Sequence, residues 1–420
     1  MLFCLGLLIC LIAGCTAKKE EADEKSHAEE IMIPVIFRVS PTTGNKDNLE
    51  LVREFNKKYQ GRYQVDVEWV METEEEYRQN LITQNVTDSL PAIITDLRMM
   101  PSFYQMMITD GRLENLAPYL EEDEEWKAMI EPAVWKGCKE SESEIYLAPI
   151  STVAFSCSGI FWNQELFEEA GIEKFPETWE EFWECCDILK EHRITPFTLH
   201  TDGTAWAPML LATTELADSE EGAEFMEQLF PESYQNVCGI EMAETLIRLF
   251  GYSAEGGLHS DFDKSMADFM AGKAAMVPNG YWTIEQIPDE CRAWIRFSKF
   301  PGNKLVSSPE TFGWSVVSNY SDEVKKGAIE FLKFRTCFNQ REKEQLIEMK
   351  GTVGSLALSD YIDAFASGPQ IVPNYQVKWN SILQKETLGE YLPLLVTGEI
   401  TPEEFTRMED ESIRQYEEEK

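Results

Sequence analysis

The chain has 420 residues and a formal net charge of −38, since Asp and Glu outnumber Lys and Arg by 75 to 37. Proteins bind nucleic acids through clustered basic side chains, so this composition argues against a nucleic-acid partner. An acidic surface also repels anions, which favours a neutral ligand. With 43% apolar and 11% aromatic residues the chain is globular, and it is too long for one hydrophobic core, so two lobes are expected.

The first 15 residues carry no charged side chain and end in Ile12-Ala13-Gly14-Cys15. This apolar stretch is too short for a membrane-spanning helix, which needs about 20 residues, but it suits a signal peptide. Its end resembles the lipobox of bacterial lipoproteins, whose cysteine is lipidated and becomes the N-terminus. The alternative is a buried N-terminal helix or strand, which the charged run that follows disfavours. Residues 16–32 are expected to form a disordered tether.

Strand and helix patterns alternate directly after the tether. The predicted elements are a strand at Ile33–Val39, a helix from Leu49 to Gly61, a strand at Tyr63–Val70, a helix at Glu74–Thr83 and a strand at Ala92–Asp96. Such alternation predicts an α/β lobe with a largely parallel sheet.

The rest of the chain reads as mostly helical, and capping residues mark where its helices begin. Asn163 is suited to cap a helix that Gly171 ends. Thr178 and Glu181 have the spacing of a capping box, in which each side chain bonds the other residue's backbone N–H. A further start signal, with proline in the first helical position, begins at Thr401.

Neither the four histidines nor the ten cysteines form a pattern typical of a metal, nucleotide or nucleophilic site. The seven cysteines after Cys15 lack regular spacing, which favours free buried thiols over a disulfide framework. Carboxylate pairs of the kind that cleave glycosides arise by chance among 75 acids, so they carry no signal. We therefore expect neither cofactor nor metal, and no catalytic residue.

Several of the eleven tryptophans stand beside turn residues rather than in apolar stripes. Trp282 follows Asn279-Gly280-Tyr281, Trp314 follows Gly313, and Trp206 comes shortly after Gly203. An indole at the end of a strand can offer its flat face to a cleft, where the apolar C–H face of a sugar ring stacks on it. Packing in the core is the alternative for each of them.

Five stretches, in the correct order, are similar to motifs of the family one extracellular solute-binding proteins of ABC importers, the maltose-binding-protein-like group. They are Leu49–Gly61, Ile145–Pro149, Gly159–Phe182, Phe269–Trp282 and Leu395–Glu404. The resemblance covers nearly all of the chain after residue 33.

The resemblance implies an α/β, two-lobed periplasmic-binding-protein-like fold. Each lobe would hold a mainly parallel sheet flanked by helices, with the ligand cleft at the hinge. Lobe one would comprise 33–148 plus 300–355, and lobe two 149–299 plus 356–420. The implied function is a monomeric lipoprotein outside the bacterial cell membrane that captures a carbohydrate by hinge closure and delivers it to permease subunits.

Carried over by position, the resemblance also implies ligand contacts. Trp282 would be the stacking aromatic of lobe two, beside Asn279 and Tyr281, and Asp96 with Arg98 would form an acidic and basic pair in lobe one. Further implied contacts are Thr43 in the loop 40–45, Thr152 after the first crossing between the lobes, Asp202, Trp206 and Trp314.

Two other functions remain open from the sequence. One is a surface carbohydrate-active enzyme, a hydrolase or lyase, which product analysis would reveal. The other is a receptor subunit that reports its ligand to a sensor kinase, which the neighbouring genes would distinguish from an importer.

Overall fold

The computed structural model describes most of the chain. The described residues are 30–39, 46–72, 74–130, 132–141, 143–149, 157–201, 205–227, 232–307, 313–348, 354–373 and 383–418. Cys15, most of the predicted tether, and the predicted contacts Thr43, Thr152 and Asp202 lie outside these residues.

Lobe one combines the first part of the chain with one later segment. Its strands are β1 (Ile31–Arg38), β2 (Tyr63–Val70), β3 (Ile93–Thr95), β4 (Lys139–Ser141), β5 (Glu144–Ile145), β6 (Ala148–Pro149) and β11 (Gly313–Val316). Its helices are α1 (Lys46–Lys58), α2 (Glu74–Val86), α3 (Pro101–Thr109), α4 (Ala117–Glu122), α5 (Glu124–Ala128), α6 (Pro132–Cys138) and α13 (Asp322–Glu348), with a 3₁₀ turn at Leu97–Met99.

The main sheet of lobe one has the strand order β2-β1-β3-β11-β6. β1 is parallel to β2 and β3, as predicted, whereas β11 is antiparallel to β3 and β6. β1 begins at Ile31, inside the end of the segment predicted as tether, because Ile31 extends the pairing by facing Tyr63. Helices α1 and α13 pack on this sheet through Phe55 and Phe331, whose ring centroids are 4.9 Å apart.

Lobe two contains most of the helices of the middle of the chain and the C-terminal elements. Its strands are β7 (Ser158–Asn163), β8 (Met276–Gly280), β9 (Ile295–Ser298), β10 (Lys304–Val306) and β12 (Gln370–Val372). Its helices are α7 (Gln164–Glu169), α8 (Trp179–Glu191), α9 (Trp206–Leu216), α10 (Glu220–Glu227), α11 (Val237–Tyr252), α12 (Phe262–Met270), α14 (Leu356–Ala366), α15 (Leu392–Thr397) and α16 (Pro402–Glu418). It also has 3₁₀ turns at Gly257–His259, Tyr281–Gln286 and Asp289–Cys291, and a π-helix at Leu383–Tyr391.

The sheet of lobe two corrects the prediction of a mainly parallel arrangement. β7 is antiparallel to β8, β9 and β10, and the described parallel pair in this sheet is β10 with β12. Two consecutive strands can pair in parallel only if a crossover connection, usually a helix, returns the chain to the end of the sheet where the first strand began. The sequence pattern identifies strands but not the direction from which each one enters the sheet.

The predicted helix caps are confirmed. The Asn163 side chain accepts from the Leu166 N–H at the start of α7. Thr178 and Glu181 form the capping box of α8, and Thr401 and Glu404 bond each other's backbone N–H in the same way before α16. Each pair satisfies backbone donors that a helix start leaves without a partner.

Each lobe has its own buried side chains, which form one cluster in lobe one and two clusters in the described part of lobe two. Lobe one has one core, with contributions from Ile33 through Ala148 and from Trp314 through Phe338. The cores of lobe two include Phe300, Leu305 and Val306. The chain therefore passes from the cores of lobe two to the core of lobe one between Val306 and Gly313. We propose that lobe one resumes at Gly313, whereas the sequence predicts a boundary at 300. In the part of the chain that the structure describes, no helix is both long and apolar enough to cross a membrane.

Candidate ligand-binding site

Trp282 lies just beyond the end of β8, in the 3₁₀ turn that starts at Tyr281. A Cβ atom at Gly280 would lie 2.1 Å from ring atom Cη2 of Trp282. Glycine is therefore required here, because it lets the indole lie back over the end of the strand. The Trp282 side chain is half-buried, so part of it stays exposed to solvent.

Trp206 stands beside Trp282 at the first position of α9. The ring centroids of the two indoles are 5.5 Å apart, and their planes are inclined at 41°. Trp206 is also half-buried, and it follows Ala205, which has a left-handed backbone with φ 47°. We call Trp206 and Trp282 the tryptophan pair. The structure thus brings together two aromatic residues that the sequence predicted separately.

His200 packs behind the tryptophan pair and was not predicted as part of the site. Its ring centroid is 5.5 Å from that of Trp206 and 5.3 Å from that of Phe262. It is 4% exposed, and within the described ranges Nδ1 has no hydrogen-bond partner. Burial lowers the pKa of His200 to about 4, with the Asp261 carboxylate acting in the opposite direction, so the ring is neutral at neutral pH. The feature of the sequence that could have pointed to His200 is its position directly after the buried stretch Phe197-Thr198-Leu199.

Tyr281 and Asn279 flank the strand end in different ways. Tyr281 is half-buried, with its ring 5.0 Å from that of Tyr361, and its ligand contact stays a prediction. Asn279 is fully buried, its Nδ2 donates to the Met266 sulfur at 3.1 Å, and its Oδ1 accepts from the Gly280 N–H at 2.8 Å. The predicted ligand contact of Asn279 is therefore corrected, because its side chain faces the interior and shapes the turn.

Asp96 follows β3 in lobe one and is half-buried. It has a left-handed backbone, with φ 55° and ψ 23°, and its N–H donates to the carbonyl oxygen of Gly313 at 2.9 Å. Burial raises the pKa of the Asp96 carboxyl, and the positive charges of Arg38 and Arg335 act to lower it. β1 and β3 are parallel, so Arg38 and Asp96 end up at the same edge of the sheet, which is the edge where α/β folds bind ligands.

Arg98 does not form the predicted pair with Asp96 in this structure. Its Nη1 donates to the Gly137 carbonyl oxygen at 2.6 Å, and its Nη2 forms an ion pair with Glu140 at 3.3 Å. The cations that act on Asp96 are instead Arg38 and Arg335. Neither was singled out from the sequence, although Arg38 directly ends an apolar strand run. Proximity along the chain made Arg98 the obvious choice, whereas the 3₁₀ turn directs it toward α6 and β4.

Trp314 is a core residue. It is 2% exposed, and its ring lies 4.8 Å from that of Phe37 and 5.5 Å from that of Phe331. The Arg335 guanidinium stacks over it at 4.0 Å. The predicted ligand contact is corrected, because no face of this indole is available. Trp314 instead supports Arg335, one of the two cations near Asp96.

No disulfide joins the cysteines in the described part of the chain, which are Cys138, Cys157, Cys185, Cys186, Cys238, Cys291 and Cys337. All but Cys337 are buried, in agreement with the expectation of buried thiols for six of the seven. Within the described ranges, no three His, Cys, Asp or Glu side chains group closely enough to hold a metal ion.

The overall fold is similar to solved structures of sugar-binding proteins. A Streptococcus pneumoniae solute-binding protein in complex with the blood group A-trisaccharide aligns with 92% of this chain and 100% of its own, with a TM-score of 0.71 and 16% identity. A chitin oligosaccharide binding protein aligns with 91% and 98%, with a TM-score of 0.68 and 20% identity. A family 1 extracellular solute-binding protein from Bifidobacterium longum subsp. infantis aligns with 92% and 99%, with a TM-score of 0.65 and 17% identity. The predicted two-lobed α/β fold is confirmed.

The sequence is similar to curated proteins and matches a family model. The multiple sugar-binding protein of Streptococcus mutans serotype c is 26% identical over 211 residues. That alignment covers 48% of this chain and 49% of the relative, so the chain matches about half the length of the relative. The family model described as bacterial extracellular solute-binding protein matches residues 46–336. The chain belongs to the bacterial extracellular solute-binding proteins.

Proposed function

We propose that this protein is the substrate-binding lipoprotein of an ABC importer and that it captures a neutral carbohydrate between its lobes. The tryptophan pair carries this proposal. Two half-exposed indoles, 5.5 Å apart and inclined at 41°, form a bent aromatic surface at the end of β8. Sugar rings have apolar C–H faces that stack on such a surface, so the pair suits a ligand with more than one ring.

Lobe one would supply the polar half of the site. The Asp96 carboxylate is a hydrogen-bond acceptor for sugar hydroxyls, and Arg38 at the same sheet edge is a donor. A carboxylate held in a poorly solvated position gains more from each hydroxyl than an exposed one, because water competes less. An anionic ligand would meet the Asp96 charge, which is why we propose a neutral one.

The mechanism that we propose is hinge closure. The two lobes have separate cores, so each can move as a body about the segments that connect them. A ligand that contacts the tryptophan pair on one lobe and Asp96 on the other favours the closed arrangement. The permease subunits would then recognise the closed form. We propose that the protein acts as a monomer, held outside the cell by a lipid on Cys15.

Names of similar proteins support the carbohydrate assignment. The curated relative is a multiple sugar-binding protein, and structural neighbours were solved with raffinose or with the blood group A-trisaccharide. These ligands belong to those proteins, and they give the classes of sugar with which a search would begin.

The test is a calorimetric titration of the full chain with a panel of neutral oligosaccharides that includes raffinose, chitotriose, xylotriose and maltotriose. Micromolar affinity for one of them, about −8 kcal/mol, is expected. Small-angle scattering should show a smaller radius of gyration with that sugar, as closure requires. Release of shorter sugars during the titration would favour the carbohydrate-active enzyme, and affinity without compaction would contradict hinge closure.

A further inference from the structure

Lobe two has a second concave surface, at the end of its sheet that faces away from Trp282. β7 and β8 are antiparallel, with Ser158 facing Gly280 at one end and Trp162 facing Met276 at the other. A strand rises about 3.3 Å per residue, so these two ends lie roughly 13 Å apart. Trp282 follows Gly280, whereas Trp162 lines a groove at the opposite end. We call this surface the outer groove.

The outer groove has a volume of about 720 Å³, within the range of roughly 300–1,000 Å³ typical of small-molecule sites. It lies between the segment before α8, strand β9 and helix α14. Its lining includes the aromatic Trp162 and Phe175 and the uncharged polar Thr178, Ser298, Asn303 and Ser367.

The aromatic part of the groove is fixed in place by packing. Phe175 is half-buried, with its ring centroid 5.8 Å from that of Trp162 and 6.1 Å from that of Phe167. The Trp162 indole N–H donates to the Ser298 hydroxyl at 3.0 Å. Phe175 therefore presents an exposed apolar surface on a rigid base, beside hydroxyl groups.

Both cationic side chains that line the groove, Arg296 and Lys299, already have hydrogen-bond partners. Arg296 donates through Nε and Nη2 to the two carboxylate oxygens of Asp360, at 2.6 and 3.0 Å. Lys299 donates to the Asn303 side chain and, at 2.8 Å, to the Ser367 hydroxyl. An anionic ligand that used Arg296 would have to separate the bidentate pair, which is costly, and it would meet the carboxylates of Glu177 and Asp363 in the same lining. Sugar hydroxyls can add to these groups without breaking the pair.

We propose that the outer groove is a second carbohydrate site, which takes a neutral di- or trisaccharide on the outside of lobe two. The Phe175 ring would stack against one sugar ring, and the hydroxyl, amide and paired charged groups would bond its oxygens. This site is independent of the interlobe site, because its lining comes from lobe two alone. It would let the protein hold a glycan chain while the interlobe cleft is open or occupied.

The test uses nuclear magnetic resonance of the full chain with ¹⁵N-labelled tryptophan and the same four sugars as probes. A sugar in the outer groove should shift the indole N–H resonance of Trp162, because that group bonds a groove residue. The Trp162 shift should persist in Trp282→Ala, whose interlobe site is impaired. Binding at the interlobe site alone would shift the Trp206 and Trp282 resonances and leave Trp162 unchanged, which would overturn this proposal and leave the proposed function standing.

Two variants separate a groove ligand from a distant effect. Phe175→Ala should weaken the binding that shifts Trp162 by about tenfold, as expected for loss of one aromatic contact. Ser367→Trp, at an exposed position on the groove wall, should block the same binding without removing core contacts. Glu173→Gln, exposed on the same segment as Phe175, should change nothing. A Trp162 shift that survives in both groove variants would refute the site.

Discussion

At the scale of single residues, the contact of Trp282 with Gly280 determines where an indole can stand at the end of β8. A Cβ at Gly280 would collide with the ring, so the glycine and the tryptophan function as a unit. The Asn279 side chain fixes the same turn from inside through its bond to the Gly280 N–H. The position of this proposed sugar contact therefore depends on two neighbours that do not themselves reach the ligand.

Trp282→Ala should weaken sugar binding by about 1–3 kcal/mol, since it removes one wall of the stacking surface. Calorimetric titration measures this directly. Trp294→Ala is the matched control, because Trp294 is a half-buried tryptophan of the same lobe that packs against the core beside β9. Equal losses in the two variants would indicate general destabilisation rather than a lost contact.

Asp96→Asn should also weaken binding, by about 1–3 kcal/mol, because hydrogen bonds to a charged acceptor are lost. Burial raises the pKa of Asp96 above its ordinary 3.8, so the affinity of the unmodified protein should begin to fall at a higher pH than 3.8 implies. The Asn variant should lack that loss. Asp66→Asn, on the exposed side of β2, should bind as the unmodified protein does. An unchanged affinity in Asp96→Asn would remove Asp96 from the site.

His200 makes lobe two sensitive to acid. Its pKa in the folded chain is about 4, below the ordinary 6.5, so the neutral ring favours folding above pH 6.5 and this contribution is lost as the pH falls toward 4. The loss is up to about 3 kcal/mol. His200→Phe keeps the aromatic packing, so its melting temperature should fall less between pH 7 and pH 4. His192→Gln, at the exposed end of α8, is the control. Parallel pH curves for His200→Phe and the unmodified protein would refute this role.

The site could be predicted in part. The turn context of Trp206 and Trp282 identified both, because glycine beside tryptophan at a strand end is a local pattern. The same pattern misled for Trp314, which has glycine beside it but lies in β11, an inner strand of a sheet with helices packed on it. Arg38, Arg335 and His200 were missed, because their relation to the site depends on which strands and helices become neighbours.

At the scale of secondary structure elements, α16 contains a fully buried acid. Glu409 is 0% exposed, and neither of its carboxyl oxygens has a hydrogen-bond partner among the residues that the structure describes. The neighbouring Asp410, by contrast, accepts from the Ser233 hydroxyl at 2.7 Å and from the Tyr234 N–H at 2.6 Å. Burial raises the pKa of Glu409 well above 4.5, with the Asp410 charge acting in the same direction, so folding favours the protonated form of Glu409.

A raised pKa in the folded state means that the contribution of Glu409 to stability is full below pH 4.5 and is lost as the pH rises toward the folded value. Glu409→Gln removes this dependence. The variant should gain about 1.4 kcal/mol relative to the unmodified protein for each pH unit between those two pKa values. Thermal unfolding across pH measures the gain, and the control is Glu411→Gln, at a half-buried position of α16 where the carboxylate pairs with Arg407. A constant difference between the two proteins would contradict a protonated Glu409.

The secondary structure elements differ in whether residues close in the sequence determine their features. The caps of α7, α8 and α16 were predictable, because a cap involves residues within one turn. Strand direction in lobe two was not, because it depends on where the chain re-enters after crossing between lobes. The boundary at 300 stays a prediction, and we propose Gly313 in its place because β10 pairs with β7 and β12 of lobe two, a pairing that the short run of β10 does not itself reveal.

At the scale of the whole molecule, Cys15 should determine where the protein resides. Cys15→Ala should release it from the membrane fraction, because two or more acyl chains on that residue would otherwise hold it. Immunoblotting of fractionated cells measures this. Cys10→Ala, within the apolar stretch but outside the lipobox, should stay membrane-bound. A Cys15→Ala protein that remains in the membrane fraction would refute the lipoprotein assignment.

The place of β11 has a consequence for how the protein matures. β11 lies between β3 and β6 in the lobe-one sheet, yet it comes from residues 313–316, after most of lobe two. A chain emerging from its N-terminus first would therefore leave the β3 side of β2-β1-β3 open until about three quarters of it had appeared. Lobe two also waits for late segments, because β12 pairs with β10 and residues of α14, α15 and α16 belong to its cores. Each lobe is thus completed by chain translated after part of the other, so the two would mature together rather than one serving as a finished scaffold for the other.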